Sequence, residues 1–234
     1  MIVKARALRD EDKLARRGEI LAAAERLFRE HPEGLASMDE LAEAAGVAKG
    51  TLYLYFSSKE EVMLALHEHH CESMFGELHR ALADPGQFSI DRFLDLVQKH
   101  ALGQPEFMSV GALVVGMMER SLPLEAAQRF RTRLGEWLLE AGAGIERTLG
   151  IPTEEAARLM TQSFALMLGM WQLKGCCPLA HHSHELDPKR EATFARDFPR
   201  QARQALDDLW AGALLQRSKA APERLPARRI RRKT

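Results

Sequence analysis

The chain has 234 residues, with 33 lysines and arginines against 33 aspartates and glutamates, and is 46% hydrophobic but only 6% aromatic. That length suits one or two domains with a sizeable core, while the lack of any apolar run of 18 or more residues excludes a membrane-spanning helix. A charged N-terminus without a signal-peptide segment, and three cysteines of which two are adjacent, point to a cytoplasmic protein without a disulfide framework.

The zero net charge divides unevenly. Residues 1–60 hold 10 basic against 11 acidic side chains, residues 61–216 hold 15 against 21, and the last 18 residues hold 8 against one. Abundant Ala, Leu, Met, Glu and Arg, with no run of β-branched residues alternating with polar ones, predict an all-α fold. Lys4, Arg6 and Arg9 precede any acidic residue and form a candidate N-terminal arm for a minor groove, or else a solvated terminus.

The segment Ser37–Glu61 carries the most information. Met38, Leu41, Ala42 and Ala45 form one stripe of a helix. Ser37 with Glu40 is a capping box at its start, and Gly46 can take the left-handed conformation that ends it. Val47, Leu52 and Phe56 restart the apolar pattern in a second helix of about seven residues. Ser57 or Ser58, with Glu60 or Glu61, opens a third helix. The spacing suits a helix-turn-helix. Lys49, Thr51, Tyr53 and Tyr55 lie in and just after its second helix, and hydroxyls of this kind are common phosphate donors. Gly50 would admit a base edge close to the backbone. Lys59 sits in the first turn of the third helix, opposing the macrodipole, a placement that makes sense with a phosphate between them. A plain helical hairpin with solvated polar residues is the simpler alternative.

Ile20-Leu21-Ala22-Ala23-Ala24-Glu25-Arg26-Leu27-Phe28, followed by the run from Leu41 to Glu60, resembles the N-terminal domain of the tetracycline-repressor (TetR) family. The resemblance implies an all-helical homodimer with a three-helix DNA-binding head and a larger domain for dimerisation and small-molecule sensing. It also implies double-stranded DNA contacts at Ser37, Lys49, Gly50, Thr51, Tyr53, Tyr55 and Lys59. Met38 departs from the pattern, since many members carry a hydroxyl there. The division expected is a helix-turn-helix domain over 1–57, a regulatory and dimerisation domain over 58–216, and a basic, disordered tail over 217–234.

Beyond the head, breaks at Asp84-Pro85-Gly86 and Gly103-Gln104-Pro105, and helix starts at Pro123 and Pro152, predict helices over about 58–82, 89–102, 105–120, 123–149 and 152–174. A loop over 175–188 and a final helix over about 190–217 complete the plan. Apolar bands on the last two helices, including Phe164, Met167, Phe198, Ala202, Leu206 and Leu209, are the candidate dimer face; the alternative is that they face the subunit's own core. Phe107, Met117, Met118, Trp137, Met170 and Trp171 are candidate lining for an effector pocket, with Gln172 and Glu119 as polar anchors.

Two clusters invite a metal reading. Cys176-Cys177 with His181, His182 and His184 offers zinc-type ligands or a redox sensor, and His67, His70 and Cys71 share a helix face. Neither has the spacing of a zinc ribbon or finger, so no metal and no cofactor is assigned. No phosphate-cradling glycine loop, nucleophile elbow or zinc-protease helix occurs, which argues against an enzyme. The expected function is a ligand-responsive regulator: a dimeric repressor on a palindromic operator, released by a small molecule. The competing readings are a metal- or redox-responsive regulator of the same fold, and a helical interaction module whose tail binds nucleic acid nonspecifically.

Overall fold

The computed structural model describes residues 2–31, 34–84, 86–118, 120–175 and 197–220. Among these residues there are only helices and turns. In chain order they are α1 (Ile2–Glu30), α2 (Met38–Ala44), α3 (Lys49–Tyr53), α4 (Lys59–Leu82), α5 (Ile90–Val97), α6 (Pro105–Met118), α7 (Leu124–Leu149), α8 (Thr153–Gly175) and α9 (Phe198–Ala220). A π-helical turn, Gln98–Leu102, extends α5.

The predicted stop and start signals act where expected. Ser37 accepts from the Glu40 N–H at 3.3 Å, and the Glu40 carboxylate accepts from the Ser37 N–H at 2.7 Å. This closes the capping box of α2. At its other end Gly46, at φ +64°, donates to the Glu43 carbonyl while Val47 donates to that of Ala42. That is a Schellman closure, which reverses the chain into α3. The second box is shared between two serines: the Ser58 hydroxyl caps the Glu61 N–H, and the Glu61 carboxylate reaches back to the Ser57 N–H and hydroxyl. Ser89 caps α5 in the same way. No described helix is by itself long and apolar enough to cross a membrane.

Two apolar clusters meet along α4. The first joins Ile20, Leu21, Ala24 and Phe28 of α1 to Leu41, Ala42, Leu52, Phe56 and the start of α4. It does not stop at a boundary near residue 57, because Val110, Val114 and Met117 of α6 and Ala126 and Phe130 of α7 belong to it. The second cluster surrounds the later turns of α4 with α5 to α9. Val62 to Leu66 serve the first cluster and Cys71 to Leu82 the second. One 24-residue helix therefore belongs to both cores.

The body is closed by near contacts and by a few polar bonds between helices. A Cβ on Gly142 of α7 would lie 2.5 Å from the Thr153 carbonyl oxygen, so glycine there lets the start of α8 approach. The Glu146 carboxylate accepts from the Thr153 N–H and hydroxyl, and these bonds hold its pKa below the usual carboxylate value. Arg217 ties α9 to Glu155 at 2.7 Å and to the Gly150 carbonyl at 2.8 Å. The buried Trp210 indole donates to the Ser163 hydroxyl at 3.0 Å, which donates in turn to the Leu159 carbonyl.

Several expectations need correction. The candidate N-terminal arm is helical: Lys4, Arg6 and Arg9 lie on the continuous α1. Helix α3 has five residues, with Leu54 and Tyr55 in the following turn. Helix α9 runs to Ala220 with Arg217 docked, so the tail cannot begin at 217; residues 221–234 lie outside the described residues. The Cys176-Cys177 and His181–His184 loop lies outside them as well.

Candidate nucleic-acid interface and ligand cavity

Helices α1 to α3 and the start of α4 form a compact head that presents α3. Arg26 of α1 donates to the Ala44 carbonyl at 3.1 Å, satisfying the C-terminal end of α2. Arg17 lies over the Phe56 ring at 5.3 Å, closing the head from the other side. With Leu52 fully buried, the opposite face of α3 is left to solvent: Tyr53 is 48% and Leu54 78% exposed. Gly50 is exposed, and nothing in the protein would contact a Cβ there. Thr51 and Tyr55 are half-buried, Tyr55 against the head core.

The two lysines differ. Lys49 is engaged by Asp39 of α2 at 2.7 Å, with both side chains more than half exposed. The hydrogen bond and charge of Asp39 raise the Lys49 pKa. Such an exposed pair is screened by water and contributes little, so Lys49 can leave it for a stronger anion. Lys59 lies over an apolar floor of Phe28, Leu41 and Met63, half-buried, with no ion pair among the described residues. Its stem is packed and its ammonium is available, the arrangement a phosphate contact needs. Ser37 is exposed, its hydroxyl already used in capping.

The body holds an apolar cavity of about 370 Å³, within the size range of small-molecule sites. It is walled by α4 (His67, Cys71, Met74, Phe75, Leu78), α5 (Phe93, Leu96, Val97), α6 (Phe107, Val114, Val115, Met118), α7 (Phe130, Leu134, Leu138) and α8 (Met160, Phe164, Met167). Of the predicted lining, Phe107 and Met118 are there. Met117 belongs instead to the core shared with the head. Trp137 stacks on Phe75 at 5.7 Å beneath Arg133 and borders an outer polar groove. Met170 and Trp171 pack against the body core, Trp171 edge-on to Phe198 at 5.2 Å, and Gln172 is exposed. Glu119 lies outside the described residues.

The candidate dimer residues are also placed differently. Phe164 and Met167 wall the cavity. Phe198, Ala202 and Leu206 are fully buried within the protomer, and Leu209 packs on the same core. Phe198, Ala202 and Leu206 therefore spend their apolar area inside the protomer, while Phe164 and Leu209 stay partly exposed. The outward faces of α8 and α9 carry Leu173 and Leu215, both more than half exposed.

His67, His70 and Cys71 share one helix face, but the fold gives them different partners. His70 Nε2 turns to Glu25 Oε1 of α1 at 3.1 Å, while His67 Nε2 lies 3.7 Å from Cys71 Sγ at the cavity wall. No cluster of three or more such groups able to hold a metal occurs among the described residues. Burial lowers the His67 pKa to about 4, with a smaller contribution from His70, and raises that of the Cys71 thiol to about 12. Both are therefore neutral near pH 7. Arg29 of α1 donates to Glu106 of α6 at 2.5 Å, a further tie between head and body.

A helix-turn-helix head joined through one shared helix to a cavity-bearing helical body defines an all-helical, two-part class of helix-turn-helix proteins. Residues 20–66 match the sequence model of "Bacterial regulatory proteins, tetR family", and residues 68–217 match "Tetracyclin repressor-like, C-terminal domain". The chain belongs to the TetR family of helix-turn-helix transcriptional regulators, which are not enzymes. It is 36% identical over 94 residues to the transcriptional activator FasR of Mycolicibacterium smegmatis, covering 38% of this chain and 43% of FasR. It is 45% identical over 62 residues to the transcriptional regulator EthR of Mycobacterium tuberculosis, covering 26% and 27% of the two chains. The chain thus spans less than half the length of these two relatives. Over 134 residues it is 31% identical to the transcriptional repressor Rv1474c of Mycobacterium tuberculosis, covering 53% of this chain and 68% of that one. Among solved structures, a TetR-family regulator from Mesorhizobium loti superposes with a TM-score of 0.54 at 16% identity, over 85% of this chain and 96% of that one. The FadR regulator of Bacillus subtilis, solved with stearoyl-CoA, gives 0.52 at 20% identity over 83% and 97%.

Proposed function

We propose that this protein is a dimeric, ligand-released repressor that binds a palindromic DNA operator through its helix-turn-helix heads. The observation that carries the proposal is α4: its first turns lie in the core of the head and its later turns wall the apolar cavity. A ligand whose affinity differs between two placements of α4 therefore changes the placement of the head, and release follows from that difference.

Docking uses few donors, because the head is not basic overall. Lys59, Tyr53 and Tyr55 position the head on phosphates, with Ser37 at the edge of the contact. Gly50 and Thr51, with Lys49 once it leaves Asp39, face the base edges. Dimerisation uses the outward faces of α8 and α9 around Leu173 and Leu215, setting two heads about 34–36 Å apart or a multiple of that. Selecting bound DNA from a random pool tests the reading. A palindrome with half-sites at that spacing is expected. A product with no symmetry, or a protein monomeric by light scattering at micromolar concentration, would overturn it.

A further inference from the structure

We infer that the cavity takes an uncharged, largely apolar molecule that carries one hydrogen-bonding group, and that the buried imidazole of His67 receives that group. This rests on reading the cavity as the effector site, and it adds the chemistry that the effector must have.

The lining is almost wholly hydrocarbon, so an apolar body is needed to fill it with gain. Of the few polar side chains at its wall, Ser163 is engaged by Trp210 and the Leu159 carbonyl, and Arg131 and Thr161 are exposed. Arg131 is the one permanently charged lining residue, and it is an exposed one. His67 is different: it is 3% exposed, and its Nδ1 is buried with no hydrogen-bond partner. A buried polar atom left unpaired costs free energy that a partner recovers, so in a native protein it calls for a partner.

The position is also built for a ring. Phe107, Phe130 and Phe164 surround the imidazole with centroids at 5.6, 5.8 and 6.1 Å. Gly111 of α6 makes room for it, since a Cβ there would lie 2.9 Å from His67 Cε1. With Cys71 Sγ near Nε2, either tautomer leaves Nδ1 free to pair: as a donor if Nε2 accepts the thiol proton, as an acceptor if Nε2 carries its own. A hydroxyl serves both cases. A carboxylate does not suit this position, because an uncompensated anion beside a neutral imidazole in hydrocarbon loses its hydration with no cation to replace it.

Calorimetric titration of the full chain, without DNA, with naphthalene, 2-naphthol and 2-naphthoate near neutral pH tests the inference. Wild type is expected to bind 2-naphthol about ten-fold more tightly than naphthalene, the difference one recovered hydrogen bond gives, and to bind 2-naphthoate most weakly. His67→Leu should abolish the preference for the hydroxyl while keeping naphthalene binding, and His67→Gln should retain part of it. Should His67→Leu not fold, Gly111→Ala displaces the ring by a methyl group and should have the same effect. Equal binding of naphthol and naphthalene, preference for naphthoate, a preference that survives His67→Leu, or no binding of any of the three overturns the inference. Release from the selected DNA is measured separately. Binding of 2-naphthol with unchanged DNA affinity would sink the sensor reading and leave the anchor standing.

Discussion

His67 gives a stability test that needs no ligand and no DNA. In the unfolded chain its imidazole titrates near the ordinary 6.5, whereas burial, with a smaller push from His70, lowers the folded value to about 4. Between these values the unfolded state binds more protons, so stability is full above about pH 6.5 and falls as pH drops towards 4. One pKa unit corresponds to about 1.4 kcal/mol, and the two titrations together predict that wild type loses about 2 kcal/mol from this group between about pH 7.5 and pH 5. Urea unfolding followed by circular dichroism, on wild type and His67→Leu at both pH values, isolates that part. His70, His100 and the carboxylates remain in both proteins and cancel in the difference. The wild type should lose about 2 kcal/mol more than the variant. Equal losses within about 0.5 kcal/mol would show that the imidazole takes up a proton in the folded state, and the neutral, unpartnered ring argued above would be wrong.

Three further outcomes are expected. Ser163→Ala leaves the Trp210 indole N–H buried without its acceptor and should cost about 1–3 kcal/mol, read as a lower urea midpoint; an unchanged midpoint would mean that water or a rearrangement satisfies the indole. Gly142→Ala places a methyl group against the Thr153 carbonyl and should destabilise by about 1–3 kcal/mol, with the loss shown by calorimetry. On DNA, Lys59→Ala should weaken binding to every sequence and reduce the salt slope by about one, while Asp39→Asn frees Lys49 and should strengthen binding with little change in stability. Anisotropy titrations over a range of salt separate the two, and operator affinity untouched by Lys59→Ala would exclude the proposed docking.

Much of the head was legible in the chain because its signals are local. The Ser37–Glu40 box, the Gly46 reversal and the caps at Ser57 and Ser58 each depend on residues within a few positions of one another, and each forms as the spacing implies. Helix starts at Pro123 and Pro152 were equally plain. Helical periodicity identifies an apolar face but not what covers it. Phe164 and Met167 therefore read like Phe198 and Leu206, although the first pair walls a cavity and the second fills the core. The same limit applied to Met117 and Trp137, whose neighbours lie on helices distant in sequence.

The sequence by itself determined the helical class, most of the breaks between helices, the capped ends of α2 and α4 and the family resemblance, since capping, turn conformation and periodicity act over one or two turns. Only the tertiary structure decided that Lys49 is held by Asp39, that His70 turns to Glu25 while His67 faces the cavity, and that one helix serves both cores. Those outcomes depend on contacts between elements tens of residues apart, where burial and close packing choose among partners that the local pattern leaves equivalent.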